Sequence, residues 1–249
     1  MIKKANLAKY IEIANTLRTS ISNHEYKNND PFPDQQALSK KFSTSRMTIQ
    51  KALNILKTEG LIYSKQGSGT FVSSNADLIE QTDLEINQYQ YIGTTDLFGK
   101  THKINSKIIK FTIRYPDKSE QNALRISKKD LIYDITRLRI VDEEPYVLEY
   151  TKMPVKVIPG ISDDILKKSI YHYIKSDLNL KIGSAFRKIR ADKPNLFDKK
   201  FLNCKNEDPI LEITQTAFLN SDIPFEFSRV RYRYDKGNMV VFVKSSFER

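Results

Sequence analysis

Residues 31–72 read PFPDQQALSKKFSTSRMTIQKALNILKTEGLIYSKQGSGTFV, and the order of signals in this stretch decides the fold of the N-terminal part of the chain. Asp34 is suited to cap a helix, because its side chain can accept from the freed amides of a first turn. The helix it opens runs to about Phe42, with Ala37, Leu38 and Phe42 inward. Ser43-Thr44-Ser45 is a turn. Ser45 caps a third helix whose buried face carries Ile49, Ala52, Leu53 and Leu56 at helical spacing. Gly60 ends it, as glycine does where the chain turns left-handed. Leu61–Tyr63 and Thr70–Val72 are short apolar strands on either side of the tip Lys65-Gln66-Gly67-Ser68-Gly69. The stretch is a helix-turn-helix with a hairpin wing.

Working outward, Leu7, Tyr10, Ala14, Leu17 and Ile21 recur every three or four residues and predict a helix over about 6–22. Residues 23–32 are polar and rich in turn formers, so a loop is expected. On the other side, Ser, Asn, Asp, Glu and Gln dominate 73–92, which suits a linker. Beyond it the pattern changes to strands between short helices. Strands are expected at Lys107–Tyr115, Ile132–Val141, Tyr146–Lys152, Phe186–Ala191, Ile210–Leu219, Phe225–Tyr234 and Met239–Val243. Helices are expected at Ser119–Leu124, Ile165–Leu178 and Asp198–Phe201. Tight turns at 142–145 and 220–224 make neighbouring strands antiparallel hairpins. The fold class is α+β, with a first domain at 1–75, a linker at 76–92 and a second domain at 93–249.

A chain of 249 residues is long enough for two such domains. Its net charge is +11, from 41 Lys and Arg against 30 Asp and Glu. Residues 1–75 hold 11 of the former and 5 of the latter, so the excess is densest on the helix-turn-helix segment. Such a skew suits an anionic partner, nucleic acid above all. A uniformly lysine-rich composition is the plainer explanation of the charge, and the motif weighs against it. The single Cys204 and the scattered His24, His102 and His172 give no metal-ligand spacing, so no metal or cofactor is expected. No apolar run approaches the length of a membrane span. The N-terminus lacks a leader pattern, and a cytoplasmic protein is expected.

On the third helix the buried positions leave Arg46, Met47, Thr48, Gln50 and Lys51 facing outward. A helix that enters a major groove by its N-terminal end presents such residues. Arg can bond guanine O6 and N7 together, Gln can bond adenine, and Thr can touch phosphate or a thymine methyl. Ser45 and Thr48 are placed to grip phosphates. Gly67 and Gly69 let the wing backbone approach a minor groove beside Lys65, Gln66 and Ser68. The bland alternative is a pair of bundle helices with a solvated polar face, which accounts for neither the wing nor the charge skew.

These residues bring a family with them. Segment 10–72 resembles the winged helix-turn-helix of GntR-type regulators. The resemblance rests on Tyr10, Ile13, Leu17, Ile21, Pro33, Leu38, Phe42, Ser45–Ile49, Ala52, Leu53, Leu56, Gly60–Ile62 and Gln66–Val72. It implies a DNA-binding regulator. Two departures stand out. Asp34-Gln35-Gln36 replaces the usual Ser-Glu-Arg, and Gln50 replaces an Arg. Gln36 and Gln50 are therefore expected to favour A·T-rich sequence, with Gln35 beside them at the interface.

Residues 93–245 resemble the UTRA effector-binding domain of the HutC branch, an antiparallel-sheet fold similar to chorismate lyase. The resemblance rests on Arg137-Leu138-Arg139, Glu143–Pro145, Glu149-Tyr150, Ser169–Ile174, Leu178–Leu180, Pro209–Ile213, Ile223–Ser228 and Arg231–Tyr234. From the residues themselves, Arg137 and Arg139 lie two apart on one strand and project from one face. If that face is interior, an anion would satisfy both guanidiniums. Alternatively they pair with Glu149 and Glu226 across a solvated sheet face. The resemblance implies that Thr94, Arg137, Arg139, Ser169 and Tyr171 cradle a phosphate. It implies equally that Glu149, Glu226 and Tyr232 contact a sugar. Tyr171, Tyr173 and Phe186 are otherwise expected in the core.

The expected function is a homodimeric repressor on palindromic operator DNA, released by a small anionic effector such as a sugar phosphate. A carboxylate metabolite is the alternative effector. A lyase acting on an aromatic enol-ether carboxylate is a remote third reading, since no acid/base set accompanies the arginines. The chain is too short for a fused module of the kind that uses pyridoxal phosphate.

Overall fold

The computed structural model describes residues 9–74, 76 and 102–239. They fall into two compact units, one of residues 9–74 and 76 together with Met239, the other of residues 102–238.

The first unit contains α1 (Lys9–Ser22), β1 (Pro31–Phe32), α2 (Gln35–Lys41), α3 (Arg46–Thr58), β2 (Ile62–Lys65) and β3 (Gly69–Val72). Each helix turns one apolar stripe into a shared core. Ile13, Ala14, Leu17 and Ile21 of α1 meet Leu38 of α2 and Ile49, Ala52, Leu53 and Leu56 of α3. Full burial of such side chains stabilises the unit by about 1.5–3 kcal/mol each. Ala37, expected inward, is exposed. Leu38 and half-buried Phe42 share one stripe four residues apart, and Ala37 lies about 100° around the helix from it.

The helix ends follow the capping residues. Asp34 accepts from the Ala37 amide at 2.7 Å, and Ser45 Oγ accepts from the Thr48 amide at 3.2 Å. Gly60, just past α3, has φ 77°, a value that glycine adopts without strain. Glu59 is buried at the end of α3, where Arg18 of α1 neutralises it with bonds of 2.9 and 2.7 Å. One element escapes sequence patterning. Pro31 and Phe32, expected in a loop, pair antiparallel with Phe71 and Thr70 and complete a sheet of order β1-β3-β2. Two residues are too few for alternation to register.

The second unit contains β4 (Ile104–Arg114), α4 (Lys118–Leu124), β5 (Ile132–Val141), β6 (Glu144–Pro154) and α5 (Asp163–Lys167). There follow α6 (Ile170–His172), a π turn (Tyr173–Asp177), β7 (Ile182–Asp192), α7 (Leu196–Phe201), β8 (Ile210–Leu219) and β9 (Pro224–Arg233). The six strands form an antiparallel sheet of order β4-β5-β6-β9-β8-β7. The continuous helix expected over Ile165–Leu178 is broken. α5 stops at Lys168, and Ser169 caps a new start by accepting from the His172 amide at 3.1 Å. Serine competes for backbone bonds inside helices and favours their N-termini, so the break sits where the chemistry puts it.

One face of the sheet packs Tyr133, Ile135, Met153, Ala217 and Phe225 under Leu166, Ile170 and Ile174 from the helical segment. Phe186, expected in this core, is 72% exposed. It lies on edge strand β7, opposite Thr216, and points to the other face, while its neighbour Ala185 takes the core side. Of the strand expected at Met239–Val243, residues 240–243 lie outside the described residues.

The other face is built largely from buried charge. Arg231 is bonded to Asp198, Asp192 and Glu212, and Asp198 and Glu212 are themselves buried. Asp134 receives Lys110, Arg114 and Lys152 at 2.6, 2.7 and 2.5 Å. Burial opposes its ionisation, but these bonds outweigh burial and hold the carboxyl well below its usual range. Cys204 is buried beside Leu148, Leu202 and Ile210, and burial pushes its thiol up to about 11, which leaves it unreactive.

Candidate functional site

In the first unit the expected groove-reading residues come together at one end of α3. Arg46, Gln50 and Lys51 are exposed, Met47 is 70% exposed, and Thr48 is half-buried at the rim. Their display follows from the opposite stripe of α3 being sealed into the core. Ser45 Oγ and Thr48 Oγ1 are 2.9 Å apart, which fixes both hydroxyls at the helix start. Gln35 and Gln36 are exposed on the first turn of α2, and Arg46 Nη2 donates to Gln36 Oε1 at 3.4 Å. Lys51 lies 5.9 Å from the Tyr10 ring centroid. The wing projects Lys65, Gln66, Gly67, Ser68 and Gly69, all exposed. Gly67 and Gly69 have φ of 74° and 106°, which only glycine adopts readily. Open space surrounds both, so the tip can meet another backbone closely.

In the second unit the sheet register assembles the other group. Arg137 stands opposite Glu149, which stands opposite Val230, while Arg139 stands opposite Val147, which stands opposite Tyr232. Alternation then brings Ser228 and Glu226 of β9 onto the same face. That face is interior: Arg137, Arg139, Glu226 and Tyr232 are all buried. The solvated alternative is thereby excluded for the arginines, although Arg137 does pair with Glu149, at 2.6 Å.

The two guanidiniums also tie down the helical roof. Arg137 Nη1 donates to the Leu166 carbonyl at 2.9 Å, and Arg139 Nη1 donates to the Lys168 carbonyl at 3.3 Å and to Ser106 Oγ. Arg137 Nε is buried with no acceptor among the described residues. Burial lowers the Arg139 pKa, Glu149 opposes, and the neighbouring Arg137 lowers it further. An anion placed here would relieve both strains. Burial raises the Glu226 pKa against bonds from Ser228 Oγ at 2.6 Å, Tyr171 Oη at 2.8 Å and Gln215 Nε2 at 2.8 Å. Tyr232 packs edge-on against Tyr146 with centroids 5.6 Å apart, and burial pushes the Tyr146 hydroxyl up to about 12.

Ser169 and Tyr171 thus adjoin the arginines and Glu226, whereas Thr94 lies outside the described residues. Sequence reasoning missed Ser106, Gln215, Ser228 and Tyr146. Ser228 was reachable, since it follows Glu226 by two on a strand. Ser106 and Gln215 depend on strand register, which local patterning does not give. An open cavity of about 530 Å³ lies on the opposite sheet face, lined in part by Tyr150, Lys152, Lys188, Arg190 and Arg229. Its cations are largely engaged, Lys152 by Asp134, Arg190 by Glu212 and Arg229 over the Tyr150 ring at 4.6 Å. The buried arginine pair has the stronger claim as an anion site. Among the described residues no cluster has metal-ligand character, and no helix is long and apolar enough to cross a membrane.

Comparison with known proteins identifies the domain family of each unit. Residues 9–72 match the family described as bacterial regulatory proteins, gntR family, and residues 99–237 match the UTRA domain. The HTH-type transcriptional regulator GmuR of Bacillus subtilis is 45% identical over 228 residues, 92% of this chain and 95% of that protein. The mannosyl-D-glycerate transport/metabolism system repressor MngR of Escherichia coli is 29% identical over 95% of this chain and 97% of its own length. The crystal structure of the possible transcriptional regulator YydK of Bacillus subtilis superposes with a TM-score of 0.76 at 26% identity, covering 96% of this chain and all of that one. These relatives are named as regulators, not as enzymes.

Proposed function

The chain belongs to the GntR family of bacterial transcription regulators with a UTRA domain, and from that premise we propose that it is a repressor released from operator DNA by a small anionic effector, a sugar phosphate. The carrying observation is the pair of buried guanidiniums, Arg137 and Arg139, on one sheet face. Burying two guanidiniums side by side is expensive, and phosphate meets a guanidinium bidentately. Glu149, Glu226, Tyr171 and Tyr232 supply acceptors, hydroxyls and a ring edge suited to a sugar. The printed name of MngR, a repressor for a mannosyl-glycerate system, supports a sugar-derived effector.

The release mechanism follows from the partners that the arginines already have. A phosphate between them competes with the Leu166 and Lys168 carbonyls and with Ser106. The α5–α6 connection and β4 lose part of their anchorage when those bonds exchange. β4 is the first strand of the second unit, the one nearest in sequence to the DNA-reading unit. In a homodimer, two recognition helices must meet half-sites about 34–36 Å apart, or a multiple of that. An effector that prefers a conformation with another spacing weakens operator binding by its differential affinity.

Thermal unfolding of the full chain with hexose 6-phosphates, matching free hexoses and sugar carboxylates tests the site. At about 100 Kd a true ligand adds roughly 2.7 kcal/mol. Stabilisation by the phosphates alone supports the proposal. Stabilisation by carboxylates alone favours the second reading, for which the same arginines serve. No stabilisation by any anion removes the site.

A further inference from the structure

The bond between Arg46 and Gln36 links the two helices of the helix-turn-helix at its exposed surface. Arg46 is the first residue of α3 and Gln36 the second of α2. Gln36 Oε1 accepts from Arg46 Nη2 at 3.4 Å, long for an N–H···O bond and solvent-exposed. Its value is therefore orientation, not stability. An arginine side chain has many rotamers to lose on docking, and a contact that restricts them beforehand lowers that loss. Guanidinium carries five N–H donors in a fixed fork. One hydrogen of Nη2 faces Gln36, and enough remain to bond guanine O6 and N7 together.

The same bond changes what Gln36 can read. Bidentate adenine recognition needs the glutamine oxygen to accept from adenine N6 while its nitrogen donates to N7. Here the oxygen already lies beside a cation, so an approaching amino group meets a positive neighbour. The Nε2 hydrogens take no part in that bond and suit acceptors, whether guanine O6 and N7, thymine O4 or phosphate. Building on the proposed DNA-reading role, we infer that Gln36 is a positioning residue for base recognition: it aims Arg46 at guanine and faces the duplex as a donor. This departs from the A·T preference that the residue type alone suggested.

The test uses the full-length protein and a pool of random-sequence duplexes, from which preferred sites are selected. Titrations then compare duplexes that differ only at the base read by Arg46. Wild type should prefer guanine there by about 5- to 150-fold, and Arg46→Ala should abolish the preference. Gln36→Met, similar in shape but without an amide acceptor, should lower the guanine ratio at that same base and at no other. Adding Gln36→Met to Arg46→Ala should cause no further loss of discrimination. Gln36→Glu restores an acceptor and should keep the guanine ratio while overall affinity falls, since its carboxylate faces phosphates. A scaffold defect would lower affinity for all sequences alike and would not move the ratio. The inference fails if Gln36→Met leaves the guanine ratio intact, or if it removes an adenine preference at a different base. A pool that yields no preferred sequence overturns the DNA-reading role itself and this inference with it.

Discussion

The two units place their charge oppositely. In the first, the buried residues are apolar apart from Ser20, Ser73 and one acid, Glu59, which Arg18 neutralises. Its functional side chains stand on the outside, held by helices whose inner faces are sealed. In the second, Arg137, Arg139, Arg231, Asp134, Asp198, Glu120, Glu212 and Glu226 are all buried. The contrast teaches a division of labour. A duplex is an external polyanion, so its reader displays cations on a rigid apolar scaffold. A small metabolite, on the proposed function, must be enclosed to be told apart, and the second unit holds its charge in the interior. There each unpaired group is costly enough for a ligand to matter.

That contrast breaks first at Arg231. Arg231→Met leaves Asp198, Glu212 and Asp192 without their shared cation. A loss of about 3–5 kcal/mol is expected for breaking such a buried network, read from urea unfolding of the full chain. A loss under 1 kcal/mol would mean that the interior charge is not structural. Leu56→Ala is the counterpart in the first unit and should cost about 2–5 kcal/mol through its cavity.

Arg46→Ala sharpens the comparison. It should alter stability by no more than about 0.5 kcal/mol, as for an exposed site, yet weaken operator binding by about 1–3 kcal/mol. Unfolding and gel-shift titrations on one preparation separate the two effects. The smallest effect concerns pH. Burial raises the Glu226 pKa in the folded chain, so the unfolded chain gives up this proton first. Stability from this group is present below the unfolded pKa and is lost as pH rises through the folded one. Glu226→Gln should flatten the decline in stability above about pH 4, and an unchanged slope would show that Glu226 ionises freely.

The same contrast explains what could be read from residue order. The first unit was largely legible, because its apolar spacing, its capping Asp34 and Ser45, and Gly60 are local signals. Only Ala37 and the two-residue β1 went astray, both where a local pattern is too short to decide. In the second unit the six described strands were legible, and serine before an apolar run marks the helix start at Ser169, although the pattern over Ile165–Leu178 reads as one helix. The face shared by Arg137 and Arg139 followed from their spacing. Their bonds to Leu166, Lys168 and Ser106 did not, because they join segments far apart in the chain. Phe186 was misjudged because residue type shows neither which face of a strand a side chain takes nor that the strand is an edge.

The most direct measurement is operator affinity of the full chain, with and without a saturating hexose 6-phosphate, for wild type, Arg137→Ala and Arg137→Lys. A coupling of about 5- to 150-fold in wild type, lost in both variants, is the predicted result. Equal operator affinity with and without every sugar phosphate tried, or full release in the Arg137→Ala protein, would contradict the account.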